Sequence, residues 1–152
     1  MELLTLVKKE VWVFFMAMMP ISELRGAIPL GVSLGLSPLN ATIVSILGNS
    51  LVVPILLLIL EPVFCYFKSI CLFKTAIEKI ESRAAGKIKN YRKYRLFGLF
   101  ILVAIPFPTT GVYTGCVAAN IMKIKYKNAL GAILAGVIMA GIVVFLITTG
   151  LL

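Results

Sequence analysis

Between Leu30 and Leu60 the chain passes thirty-one residues without an ionisable side chain. That exceeds the roughly 20 apolar residues a helix needs to cross ~30 Å of hydrocarbon, so the run commits the chain to a bilayer. A second uncharged apolar stretch, Val11 to Met19, lies upstream. Between the two stands Pro20-Ile-Ser-Glu-Leu-Arg-Gly-Ala-Ile-Pro29, which places the opposite charges of Glu23 and Arg25 at or near membrane depth. A charge at the bilayer centre costs about 2.5–3.5 kcal/mol on insertion scales, so such groups face protein or a water-filled cavity. The same ten residues resist a continuous helix. Pro20 and Pro29 each lack a backbone donor, Gly26 loosens the segment, and Ser22 offers an N-cap ahead of the acidic Glu23. A broken, re-entrant segment lining a cavity is one reading. A surface loop that joins two helices, with both charges solvated, is the other.

Composition narrows the function. Hydrophobic residues make up 61% of the 152, against roughly 45–50% in soluble domains, which marks an integral membrane protein. The net charge of +9 is grouped beside apolar runs, where it sets topology and meets anionic headgroups rather than nucleic acid. There is no histidine and no aspartate, which removes a His-based triad, an HExxH zinc site and an aspartate pair for intramembrane proteolysis. No Gly-rich phosphate loop with its lysine is present either. The expectation is a protein that is not an enzyme and takes no cofactor or metal. The three cysteines, Cys65, Cys71 and Cys116, show no disulfide pattern.

Taken in order, Glu2 to Glu10 is a polar start. The nine residues Val11 to Met19 span only about 14 Å at ~1.5 Å each, half a crossing. Basic residues ahead of an apolar run resemble a signal peptide, but no small-x-small cleavage site precedes Pro20, so the segment is read as retained. Ile28 to Leu36 returns to the starting side, and Ser37-Pro38-Leu39-Asn40 reads as a surface turn. Residues 41–60 form one transmembrane helix, with Pro54 predicting a kink and Asn49 at mid-depth. Asn49 serves either a functional site or an interhelical hydrogen bond. The apolar run resumes at Val63 to Phe73, where the helix either continues or lies along the surface.

Lys74 to Arg95 carries two thirds of the net charge, and the positive-inside rule puts it in the cytoplasm as an amphipathic segment anchored by Tyr91 and Tyr94. Residues 96–122 contain no charge but are interrupted by Pro106-Phe-Pro-Thr-Thr-Gly111, and both flanks are basic, so this segment enters and leaves on one side. Residues 128–150 form the second full crossing, with Ala132, Gly136 and Ala140 at small-xxx-small spacing. The chain therefore reads as a single all-α membrane domain: re-entrant hairpin 11–36, helix 41–60, basic loop 74–95, re-entrant hairpin 96–122, helix 128–150. Two such halves form an inverted repeat whose hairpin tips meet near the midplane, as in secondary transporters.

The motif Pro20-x-Ser-Glu-Leu-Arg-Gly-Ala-Ile-Pro29, with the later Pro106-x-Pro-x-Thr-Gly-x-Tyr-Thr-Gly115 and Ala118-Ala119, resembles the putative small multidrug export protein family. That family is in turn similar to the DedA group of membrane proteins. The resemblance covers essentially the whole chain. It implies paired re-entrant hairpins, translocation of a phospholipid or lipid-carrier phosphate, and proton-dependent drug tolerance. This chain departs from typical DedA members in having no arginine in its second hairpin, and Thr109 stands where related chains often have glycine.

The expected function is a multi-pass transporter in the cell membrane that moves a lipid phosphate or other small amphipathic substrate. Its site would comprise Ser22, Glu23, Arg25, Gly26, Asn49, Pro106, Pro108, Thr109, Thr110, Gly111, Tyr113 and Thr114. Glu23 would exchange a proton, its pKa raised by burial and lowered again by Arg25 or substrate. Arg25 would hold an anionic headgroup bidentately, and backbone amides of Thr109 to Gly111 would meet the anion. Expected partners are membrane lipids, the substrate, protons and a second copy in a homodimer, with no nucleic acid. The alternatives are a proton-coupled drug exporter and a non-transporting membrane scaffold, in which Glu23 and Arg25 are a structural ion pair.

Overall fold

The computed structural model describes residues 2–69, 92–106 and 110–150. Regular structure among them is entirely helical. Helix α1 (Glu2–Met18) leads through a short turn into α2 (Glu23–Ser33), and α3 is the long helix Pro38–Ser69. After the undescribed residues 70–91 come α4 (Arg92–Ala104), α5 (Val112–Ile121) and α6 (Tyr126–Thr148). Two of these are long and apolar enough to cross a membrane: α3 over Pro38–Val63 and α6 over its whole length.

Several boundaries differ from expectation, each for a local reason. Helix α1 runs back through the polar start to Glu2, because Leu, Lys and Glu are good helix formers. Met19 to Ser22 confines the break, and Pro29 sits inside α2. One proline removes a single ladder bond, and packing against α1 and α3 keeps the helix in register. The surface turn falls one helical turn earlier than predicted, at Leu34 to Ser37, and Pro38 opens α3. Proline loses nothing at a helix start, where its missing N–H would be unpaired anyway, and the Ser37 hydroxyl accepts the Asn40 N–H at 3.3 Å. Helix α3 continues through Pro54 and Pro62 to Ser69. Most of the basic loop, including Tyr91, lies outside the described residues, while Arg92 to Arg95 already belong to α4.

Helix α2 folds back along α1, with the Lys9 ammonium beside Gly35. Helix α5 folds back along α4, with Arg95 Nη1 donating to the Met122 carbonyl at 3.1 Å. Each pair packs on the long helix that follows it, and α3 also meets α5 and α6. The two turns after α2 and α5 are built alike. Leu36 N–H donates to Gly31 O and Ile124 N–H to Ala119 O, both at 3.0 Å, around Gly35 (φ 86°) and Lys123 (φ 50°). A left-handed residue here pairs carbonyls that a helix end leaves open.

The larger core joins Leu24 and Ile28 of α2, Val53 and Leu57 of α3, Leu99 and Val103 of α4, Val112 and Cys116 of α5, and Ile133 and Val137 of α6. A smaller one joins Val13, Ala17, Ala27, Leu36 and Ala41. Large apolar side chains such as Trp12, Phe15, Leu47, Leu51, Leu58 and Ile138 point outward, whereas Ser45 and Asn49 are fully buried. Polar groups inside and large apolar groups outside are what a hydrocarbon solvent selects.

Candidate functional site

The turn Met19 to Ser22 leaves α1 with open carbonyls and α2 with open N–H groups, and the site grows from how these are satisfied. Ser22 does not cap α2 as its position predicts. Its hydroxyl donates back to the Met16 carbonyl at 2.7 Å. Glu23 opens α2 with φ 44°, a left-handed conformation that costs an L-residue roughly 1–2 kcal/mol, and its side chain is buried. Such strain persists only where surrounding contacts over-determine it, which is the pattern of functional positions.

Those contacts come from α5. Gly111 is the residue before that helix and has no side chain with which to cap it; Thr114 Oγ1 accepts the Gly111 N–H at 2.9 Å. The Glu23 carboxylate comes in from another helix, lying against Gly111 and beside the first backbone N–H groups of α5, those of Val112 and Tyr113. An acidic group on a helix N-terminus completes open donors and meets the positive end of the helix dipole. The two residues Glu23 and Gly111, far apart in sequence, thus form one trans-capping unit.

Arg25 braces the same junction. One of its terminal nitrogens, Nη2, donates to the Ile105 carbonyl at 3.1 Å and to Thr110 Oγ1 at 3.3 Å, and the Thr110 hydroxyl donates to Ile105 O at 2.9 Å. Arg25 also exerts a Coulombic pull on Glu23, while its own Nε is buried without a protein partner among the described residues. Tyr113 closes the far side, its hydroxyl donating to the Met18 carbonyl at the end of α1. Together these groups surround a cavity of about 430 Å³, lined by Pro20, Ile21, Ser22, Glu23, Arg25, Gly26, Thr110, Tyr113 and Thr114.

Most residues expected at the site therefore meet there: Ser22, Glu23, Arg25, Gly26, Thr110, Tyr113 and Thr114 line the cavity, and Gly111 touches the Glu23 carboxylate. Pro106 is half-buried beside Ile105. Pro108 and Thr109 lie outside the described residues. Of the amides expected to meet an anion, that of Gly111 is taken by Thr114 Oγ1 and that of Thr109 lies outside the described residues, while those beside the Glu23 carboxylate belong to Val112 and Tyr113, where the helix proper starts. Asn49 is apart from the cavity lining, buried on α3 with both amide atoms unpartnered among the described residues. Unmade hydrogen bonds at buried groups cost roughly 1–3 kcal/mol each. Sequence reasoning missed the carbonyls of Met18 and Ile105, which no side-chain motif announces. It also missed Ser45 and Thr42, although their spacing from Asn49 along one helix face was available.

The family model described as "Putative small multi-drug export protein" matches residues 23–143, which takes in both Glu23 and Gly111. No curated protein and no solved structure matches the chain.

Proposed function

This chain belongs to the Putative small multi-drug export protein family, and on that premise we propose that it is a secondary transporter. Its substrate is a small amphipathic molecule with an anionic head, of the lipid or lipid-carrier phosphate class. The observation that carries the reading is the Glu23 carboxylate seated on the α5 N-terminus with Arg25 beside it. Such an arrangement is an anion site occupied by the protein's own anion. When Glu23 takes up a proton it gives up its charge and its hold on the Val112 and Tyr113 amides. A substrate phosphate then accepts those N–H groups and the Arg25 guanidinium, whose fork suits phosphate geometry. Loss of the proton returns Glu23 to α5 and expels the anion, so one proton and one substrate exchange at a single site.

The same reading takes α1–α2 and α4–α5 as re-entrant hairpins and the whole chain as one membrane domain built as an inverted repeat. The matching turns around Gly35 and Lys123 support it. So do two buried glycines at equal spacing after those turns: a Cβ on Gly48 would meet Phe14 O at 2.6 Å, and one on Gly136 would meet Phe100 O at 3.0 Å. Helix α2 runs antiparallel to α3, whereas α5 runs parallel to it, from the Val53–Cys116 contact toward a cavity lined by Leu57 and Glu61 of α3 and by Ala119 and Asn120 of α5. Tips that meet while pointing in opposite directions fit hairpins entering from opposite faces. The protein is then a multi-pass protein of the cell membrane, and pairing of two copies as a homodimer would enclose the pathway.

Export of a cationic amphipathic drug in exchange for protons is the second reading, favoured by the family description. Arg25 on the same cavity wall opposes it by repelling a cation. Proteoliposomes carrying a fluorescent anionic phospholipid or a polyprenyl phosphate test the choice, with wild type, Glu23→Gln and Arg25→Ala each checked for monodispersity. Transbilayer movement that responds to a pH gradient in wild type and is lost in both variants is expected. Movement no faster than in empty vesicles overturns the anionic reading, and pH-driven efflux of a cationic dye in the same vesicles would replace it.

A further inference from the structure

Among the described residues the buried polar or charged side chains are Glu23, Thr42, Ser45 and Asn49, and the three on α3 are spaced so that all fall on one helix face. Ser45 and Asn49 are fully buried, and Ser45 Oγ and both amide atoms of Asn49 find no partner among the described residues. Thr42, nearest the start of α3, turns its hydroxyl to the Pro38 carbonyl at 2.8 Å.

Two independent registers bring this face level with the helix tips. A Cβ on Gly31 of α2 would meet Ala41 of α3, and the two helices are antiparallel. Eight residues back from Gly31 is Glu23, and eight residues on from Ala41 is Asn49, each about 12 Å away at ~1.5 Å per residue. On the other side Cys116 Sγ lies 4.0 Å from Val53 O with α5 parallel to α3. Four residues back along each helix stand Val112, at the α5 end that the Glu23 carboxylate meets, and Asn49.

We propose that Thr42, Ser45 and Asn49 form a hydrated track along α3, by which water reaches the Glu23 junction from the end of the molecule where α3 begins. The ligand is water, because an amide and a hydroxyl one helical turn apart offer donors and acceptors together. A metal cation would leave the amide N–H groups unmade, and an anion the amide oxygen. Water of this kind makes about three hydrogen bonds to otherwise unpaired buried groups. Its use as a proton route rests on the transporter reading; its presence does not. Among the described residues, the charged and titratable groups that face Glu23 are Arg25 on its own helix and Tyr113 and Cys116 on α5, and none lies on the track.

Radiolytic hydroxyl-radical footprinting of the full chain in lipid nanodiscs, read by mass spectrometry, tests the track, since buried side chains next to bound water oxidise. Val53, beside Asn49, is expected to label about five-fold faster than Ile133 and Val137, which are as deeply buried on α6. A rate at Val53 equal to those at Ile133 and Val137 overturns the proposal in wild type alone, whatever the transport assay gives. In Asn49→Leu the rate at Val53 should fall to the α6 level, and a rate that stays high overturns it as well.

Discussion

Gly111 and Glu23 occupy one another's space: a Cβ built on Gly111 would overlap both oxygens of the Glu23 carboxylate. The glycine is what lets a side chain from α2 reach the first amides of α5. Gly111→Ala should therefore destabilise the protein by about 1–3 kcal/mol, as overpacking does. In a Glu23→Ala background the same change should cost less, since the overlap is gone and only the strain of an L-residue at φ 158° remains. Thermal unfolding of the four proteins in detergent forms the double-mutant cycle, and additive losses would contradict the contact.

Four helical glycines divide by their surroundings. A Cβ at Gly48 or Gly136 would press on a neighbouring helix, while one at Gly98 or Gly131 meets nothing within 4 Å. Gly48→Ala and Gly136→Ala should lower the melting temperature. Gly98→Ala and Gly131→Ala should raise stability by about 0.5–1 kcal/mol, the helix-propensity gain. A uniform response across the four would show that the close α1–α3 and α4–α6 crossings are not needed.

Arg25 makes its bonds to Ile105 O and Thr110 Oγ1 through a single terminal nitrogen, and in the proposed transporter its other terminal nitrogen meets the substrate. Arg25→Lys keeps the charge and loses the planar fork. Transport should fall about ten-fold, the equivalent of one charge-assisted hydrogen bond, with monodispersity unchanged. An Arg25→Lys protein as active as wild type would assign Arg25 a charge role only.

Tyr113 ties α5 to the end of α1 through Met18 O, and Cys116, one helical turn on, is fully buried. In a background carrying Cys65→Ser and Cys71→Ser, Cys116 should react slowly with a membrane-permeant maleimide. Tyr113→Phe removes one hydrogen bond worth about 1 kcal/mol, so opening of the tips and alkylation should rise about five-fold. An unchanged rate would mean that the tips are held together elsewhere.

Much of the site could be read from residue types alone. Two charges among apolar runs at Glu23 and Arg25, and a Pro-Gly interruption at Pro106 to Gly111, flagged the α2 and α5 tips before any contact was known. What could not be read is how those tips engage. The expected cap at Ser22 turned back to Met16, and the cap that α5 needs came from Glu23 instead. Helix ends were also displaced: Pro29 lies inside α2, where tertiary packing overrides the local cost of one proline, and Pro38 opens α3, where a proline costs nothing.

By itself the sequence determined the solvent and the helical class. Apolar length and the grouping of charge are local properties, and hydrocarbon leaves a backbone few ways to satisfy its hydrogen bonds. Only the tertiary structure decided that Glu23 caps α5, that Arg25 braces Ile105 and Thr110, and that Asn49 stands level with both. Those relationships join residues on separate helices, and their strength lies in distance and orientation, which no periodicity along the chain encodes.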